Sequence, residues 1–364
     1  MEIYSSDNSD SDDNVTNSTN SLNFSFAAID SNFLEDQLDL VSYNEVKDKT
    51  SMLLHYNSLT HVPENLSKFM NLRKLDISNN RIYQLPDAIT RLPLRTLIAK
   101  NNFLDEDFLS VKTLEHLANT LEILNLSGNN LSFIPEQILQ LTRLKYLYLG
   151  ENRLQEIPHN INRLIRLEIL NVGGNQLISV PSTVGQLSEL RALILSNNQL
   201  DSLPASVANL NRLTILQLHK NKLRTLPTEI IALKNLSELS LRDNPLVVKF
   251  VSDMVYEPPT LQELSARTIK LYDIPYSEQD LPRNLIQFLS SAHHCLNPQC
   301  QGVFFDNRVE HVKFVDFCGK YRLPLMQYLC SSKCRDDTNR RHTPSPYQQH
   351  DHMLRKVLLS NFNN

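Results

Sequence analysis

Nine asparagines recur at Asn57, Asn80, Asn102, Asn129, Asn152, Asn175, Asn198, Asn221 and Asn244. Six of the eight intervals between them are 23 residues long, and the other two are 22 and 27. Each stands in a version of L-x-x-L-x-L-x-x-N-x-L, as in Leu144, Leu147, Leu149, Asn152, Leu154 and in Leu213, Leu216, Leu218, Asn221, Leu223. A fixed period of this length predicts one supersecondary unit repeated, none of which has a core until it stacks on its neighbours. The leucines point into the shared interior. The asparagine amide suits backbone groups left unpaired where the chain turns a corner. Six positions after the asparagine a proline follows at Pro63, Pro86, Pro135, Pro158, Pro181, Pro204 and Pro227, a residue suited to the first position of a helical turn. Phe108 and Phe250 replace it in two units, one inside the 27-residue interval and one after the last asparagine.

The pattern resembles the leucine-rich repeat. That resemblance implies an α/β fold: a solenoid of nine repeats over 52–250, with one short strand per repeat in a curved parallel sheet on the concave side. An N-terminal cap over 33–51, with a short helix at 33–47 carrying Phe33, Leu34, Leu38, Leu40 and Val41, is expected to cover the first strand, because an open sheet edge invites aggregation. Residues 1–32 carry Asp7, Asp10, Asp12 and Asp13 among serines and asparagines and are expected to be disordered.

In such arrays the outward-facing strand residues lie four and six places before the asparagine. The two columns hold Ile98, Ile123, Tyr146, Tyr148, Ile169, Ile194 and Ile215, a strip with few charges that predicts a surface for a protein partner. Strand propensity of β-branched residues is the competing explanation.

The 364 residues are 41% hydrophobic with a formal charge of -4, and no apolar run is long enough to cross a membrane. Neither a nucleic-acid nor a membrane partner is expected. The N-terminus has neither the basic start nor the apolar stretch of a signal peptide, so the expected location is the cytoplasm, with the nucleus left open. No phosphate loop, acid pair or nucleophile motif is readable, and an enzyme is not expected.

After the array, Pro258 and Pro259 stop the preceding element, and Thr260 with Glu263 has the form of a capping box opening a helix. Leu261, Leu264, Ser265, Thr268 and Ile269 fall on one face of it. Leu281-Pro282 announces a second helix with Leu285, Phe288 and Leu289. These residues over 251–291 resemble a SOCS box, the two-part segment by which substrate receptors join cullin-RING ubiquitin ligases. Thr260, Leu261, Ser265 and Ile269 fit the fixed positions of its elongin-C-binding half, and Leu264 lies on the same face. Leu281, Pro282, Leu285 and Leu289 correspond to the cullin half. Arg283 and Asn284 stand where the cullin-5 form has a hydrophobic residue and a proline, so cullin-2 and cullin-5 both stay open. The competing reading makes both helices a cap for the array. Leu323-Pro324-Leu325 also reads as a cullin-box start but lies much farther from Leu261.

All five cysteines, Cys295, Cys300, Cys318, Cys330 and Cys334, fall within 292–335. Two close pairs, Cys295 with Cys300 and Cys330 with Cys334, have the arrangement by which two knuckles bring four thiolates around a structural zinc. Cys318, His293, His294 and His311 are further candidates, and buried reduced thiols are the alternative. Aromatic and β-branched residues between the pairs predict a β-ribbon, hence a zinc-ribbon-like module. The tail 336–364 is expected to be disordered. It carries Thr343-Pro344 and Ser345-Pro346, and a short amphipathic helix at 353–359 is an alternative there.

The whole order, together with Asn244-Pro-Leu-Val-Val, Ala266-Arg-Thr-Ile-Lys270 and the run from Lys313 to Met326, resembles a single family of repeat-containing proteins over nearly everything after residue 50. The implied function is a non-catalytic substrate receptor that holds a protein substrate on the concave face and joins elongin B/C and a cullin. The alternative is a signalling scaffold for a small GTPase or phosphatase.

Overall fold

The computed structural model describes residues 20–109, 114–247, 259–277, 279–297, 300–317, 321–331 and 334. They form two compact units. The first runs to Leu223 and includes Leu233–Pro245, and the second takes Arg224–Ala232 and the residues from Leu246 onward.

The first unit is built on a parallel sheet of ten three-residue strands in sequence order, from Ser21–Asn23 and Ser51–Leu53 to Ile215–Gln217 and Glu238–Ser240. Its register aligns the repeats as the asparagine spacing predicts. Ile123, Tyr146, Ile169, Ala192 and Ile215 are successive partners in one column, and Asn125, Tyr148, Asn171, Ile194 and Gln217 in the next. Leucines of the motif, such as Leu144, Leu147, Leu149 and Leu154, are completely buried.

The asparagine amide joins neighbouring repeats. Asn175 Nδ2 donates to the carbonyls of Val172 (2.9 Å) and, one repeat back, Leu149 (3.0 Å), while its Oδ1 accepts from Leu154 N–H at 2.9 Å. Asn80, Asn102, Asn129, Asn152, Asn198 and Asn221 repeat the arrangement. Each such bond contributes about 1 kcal/mol net, but leaving its buried partners unpaired costs about 1–3 kcal/mol apiece, so the amide is hard to replace. The residue before each asparagine takes the left-handed conformation, with φ between 53° and 69° at Tyr56, Asn79, Asn101, Gly128, Glu151, Gly174, Asn197, Lys220 and Asp243. That conformation turns the chain out of the strand and aims the amide inward.

The N-terminus differs from the expectation. Ser21–Asn23 lies within the stretch expected to be disordered, yet it pairs with Ser51–Leu53 and supplies the strand that covers the first repeat. It belongs to a degenerate extra repeat. Phe26 is left-handed (φ 56°), and Ala27 stands where the asparagine would be. Asn57 of the next repeat bonds back to it, accepting from Ala27 N–H at 3.1 Å and donating to Phe24 O at 2.8 Å. The cap is two helices, α1 (Ser31–Leu40) and α2 (Tyr43–Asp48), started by Asp30 and by a Ser42–Glu45 capping box. Leu34, Leu38 and Val46 are buried, whereas Phe33 and Leu40 are exposed, which corrects their assignment to the apolar face.

On the far side of the repeats the helical turns are 3-10 rather than α. Pro63, Pro86, Pro158, Pro181 and Pro204 precede them in an extended conformation, one position earlier than expected. Each proline carbonyl accepts from the N–H three residues on, so the tight turn needs no α-helical start. The 27-residue interval holds the short helix α3 (Glu115–Ala118) and buries Phe108 where other repeats have proline.

In the second unit α4 (Leu261–Leu271) and α5 (Arg283–Ser290) share a small core with Val303 and Phe305. The predicted β-ribbon is present. Val309–Phe317 and Tyr321–Leu329 form an antiparallel hairpin, joined in parallel by Leu226–Pro227, and His293–His294 pairs with Val303–Phe304. Leu323, Pro324 and Leu325 lie buried in the hairpin. No helix among the described residues is long and apolar enough to cross a membrane.

Candidate docking helix, cysteine cluster and concave face

The apolar strip on the concave face is present in register but offers less surface than its composition implies. Ile98, Ile169, Ile194 and Ile215 retain only 5–9% exposure, while Ile123, Tyr146 and Tyr148 are half-buried. Ile169, Ala192, Ile194 and Ile215 form one cluster with Tyr146 and Tyr148 packed against it. In-register strands stand about 4.8 Å apart, so branched side chains in one column cover one another. The accessible part of the strip is therefore the two tyrosines and Ile123, and Ile169, Ile194 and Ile215 support the tyrosines.

α4 is started by Thr260, whose Oγ1 accepts from Glu263 N–H at 3.2 Å. The reciprocal half of the predicted capping box is absent, because the Glu263 carboxylate has better-buried partners. It accepts from Phe305 N–H at 3.2 Å and Asn307 N–H at 3.0 Å and pairs with Arg267, whose Nε lies 3.1 Å away. Glu263 is 2% exposed. A buried carboxylate of this kind is tolerable only with its charge paired and its oxygens hydrogen-bonded, as here. Arg267 completes the arrangement through Nη1, which donates to Cys330 O at 2.7 Å, and through Nη2, which donates to Asn307 O.

The inner face of α4 is thus Glu263 and Ala266, with Ile269 half-buried beside them. The outer face carries Thr260, Leu261, Leu264, Ser265 and Thr268, all exposed. Leu261 is 83% exposed and Leu264 45%. Ile269, read as an outward position, is shared with the core because the buried face is shifted toward it.

On the second helix Pro282 is exposed and Leu281 and Leu285 are half-buried. Leu289 is 3% exposed and packs with Ala266, Val303 and Phe305, next to Phe288 stacked on Phe305 at 4.5 Å. This corrects its reading as a cullin contact, since its surface is consumed by packing against α4. Leu271, Tyr272 and Ile274, past the end of the pattern, are also exposed and were not singled out from the sequence.

Sγ atoms of Cys295, Cys300, Cys330 and Cys334 all lie within 4.8 Å of one another. Cys330 Sγ is 3.5 Å from that of Cys300 and 3.6 Å from that of Cys334, too far for a disulfide. Four sulfurs at about 2.3 Å from a tetrahedral ion would stand roughly 3.8 Å apart, so the spacing fits a metal. Backbone groups support the sulfurs: Gly302 N–H points to Cys300 Sγ at 3.2 Å and Cys330 N–H to Cys295 Sγ at 3.4 Å. A side chain at Gly302 would come within 2.7 Å of Cys330 Sγ, so only glycine lets the strand approach the cluster.

The thiols compete for protons. Hydrogen bonding, first from Cys295, holds Cys300 down at about 7 and Cys334 lower still. The same interactions push up Cys295, chiefly through Cys300, and Cys330, chiefly through Cys295. Four sulfurs drawn together in this way could hold a metal ion. Among the described residues His293 and His294 are exposed and outside the cluster, and His311 lies in the hairpin. Cys318 lies outside the described residues.

These features define a leucine-rich repeat protein, a solenoid suited to protein–protein interaction. A leucine rich repeat family model matches residues 119–177 and 188–246, and a second one matches 71–92. The fold is similar to the crystal structure of a TDR receptor, with a TM-score of 0.52 at 24% identity over 60% of this chain and 38% of that one. The chain is 66% identical to leucine-rich repeat-containing protein 58 of Xenopus laevis over 298 residues, covering 82% of this chain and 84% of that protein. It is 61% identical to the Homo sapiens protein of the same name over 317 residues, 85% of each. The chain belongs to the leucine-rich repeat-containing protein 58 family.

Proposed function

We propose that this protein is the substrate-recognition subunit of an elongin B/C cullin-RING ubiquitin ligase. The observation that carries the reading is Leu261, an exposed leucine at the first turn of a helix whose opposite face is fixed by Glu263, Ala266 and Arg267. A large apolar side chain held rigidly in water is stabilised when a partner covers it, by about 1.5–3 kcal/mol for full burial. Ser265, one turn on and small, allows close approach by that partner.

In this reading Thr260, Leu261, Leu264 and Ser265 dock on elongin C. Leu281, Pro282 and Leu285 lie toward the cullin, either cullin-2 or cullin-5. The concave face, through Tyr146, Tyr148 and Ile123, holds the protein substrate. The chain itself carries out no chemistry and contributes position, bringing a bound protein to the ligase. The cysteine cluster holds a structural zinc whose four ligands leave no position for water. Cysteines that ligate a metal rather than pair in disulfides agree with a reducing compartment, the cytoplasm or nucleus.

Co-expression with elongin B and elongin C tests the reading. A stable ternary complex with the natural chain that Leu261→Asp abolishes is the expected result. Absence of a complex with the natural chain rejects it.

A further inference from the structure

We propose that the metal held by the four cysteines sets the position of α4, so that presentation of the Leu261 face depends on metal occupancy; the consequence for docking rests on the adaptor reading above. Besides the small apolar core around Ala266, two polar contacts fasten α4, and both lead to the cluster. At the first, Arg267 donates to the carbonyl of Cys330, itself a ligand, whose own N–H points at Cys295 Sγ. At the second, Glu263 accepts from Phe305 and Asn307 N–H. Phe305 follows directly on Val303–Phe304 and Asn307 lies two residues further on, and the strand starts after Gly302, where a side chain would run into the Cys330 and Cys300 sulfurs.

The two points are joined by the Glu263–Arg267 ion pair, whose side chains are only 3% and 16% exposed. A desolvated pair is stable only with all its partners in place, because a lost acceptor leaves a charge under-satisfied away from water. A shift of the Cys330 carbonyl therefore disturbs Glu263 as well. Without the metal, nothing covalent connects the Cys295–Cys300 and Cys330–Cys334 turns, and their thiols have no cation to collect them. The geometry that holds the Cys330 carbonyl and the 305–307 turn in one frame is then lost. α4 itself has eleven residues, too short to hold a stable helix in water by propensity alone.

The test is hydrogen exchange of the full chain with zinc and after removal of zinc by chelation, alongside binding to elongin B–C. Metal removal is expected to speed exchange over 261–271 by about tenfold or more, with the array at 52–223 as the unchanged internal reference. Elongin B–C binding should weaken by a similar factor. Unchanged exchange of α4 after complete metal loss overturns the proposal. A second chain, carrying Glu263→Gln and Arg267→Met together, removes the charges while keeping similar volumes. It should retain one zinc per chain, while its α4 exchanges at the metal-free rate whether or not zinc is present. A response to chelation as large as that of the natural chain would overturn the link through this pair. If α4 responds to metal but the natural chain never binds elongin B–C, the link stands and the adaptor reading fails.

Discussion

Asn175 in the array and Arg267 in the C-terminal unit each tie separate stretches of chain together by hydrogen bonds, the first through Leu149, Leu154, Val172 and Gly173, the second through Glu263, Asn307 and Cys330. The partners of Asn175 are copied in every repeat, so the array spreads its stability over many equivalent sites. The partners of Arg267 lie as much as 63 residues away and have no copies. Periodic stacking tolerates variation at any one repeat and leaves the surface free to diversify. The C-terminal unit depends on single contacts, and it is there that an exposed apolar face is held in place.

The comparison breaks most clearly at the cysteines. With the proposed zinc in place, Cys330→Ser is expected to release it and unfold the cysteine module, the largest loss of stability in that unit, while the array unfolds as before. Metal analysis with limited proteolysis checks this, and an array that melts together with the module contradicts the separation. Next in size, Asn175→Ala should destabilise the array by about 3 kcal/mol in urea denaturation, because it orphans buried backbone groups. Asn244→Ala, at a half-buried site, should have a smaller effect. Equal losses at both positions would mean that burial does not set the strength of the ladder.

Leu261→Asp should change stability by less than about 0.5 kcal/mol, since the side chain touches solvent. Thermal unfolding measures it, and a large loss would place Leu261 in the core. The smallest effect belongs to His219, where burial first and then Arg242 and Lys220 hold the imidazole below its ordinary value of 6.5. A folded value below the unfolded one means full stability above pH 6.5 and a gradual loss as pH falls through the folded value. An NMR titration of His219 with a midpoint above 6.5 would reverse that sign.

The array was legible because its information is local and repeated: the period sets the strand register and the buried leucines without reference to distant residues. Its first repeat escaped notice because Ala27 stands where the pattern needs asparagine, and the amide that serves it is Asn57 of the next repeat. Exposure of the isoleucine strip was overread because mutual coverage across strands is invisible in one dimension. Cysteine pairing was readable from spacing, and the four thiols do converge. The Glu263 half of the capping box fails for a different reason. Its true partners, Phe305 and Asn307, lie 42 and 44 residues away, and no local pattern announces such a contact. Leu289 was misassigned on the same ground: helix periodicity marks an apolar face without saying what covers it.

Hydrogen exchange of the full chain with and without elongin B–C tests the central claim most directly. The receptor reading predicts new protection over 260–269, on the face of Thr260, Leu261, Leu264 and Ser265, with the repeat strands unchanged. No protection there at elongin concentrations of about 10 μM, a level that would reveal even a micromolar complex, would contradict it.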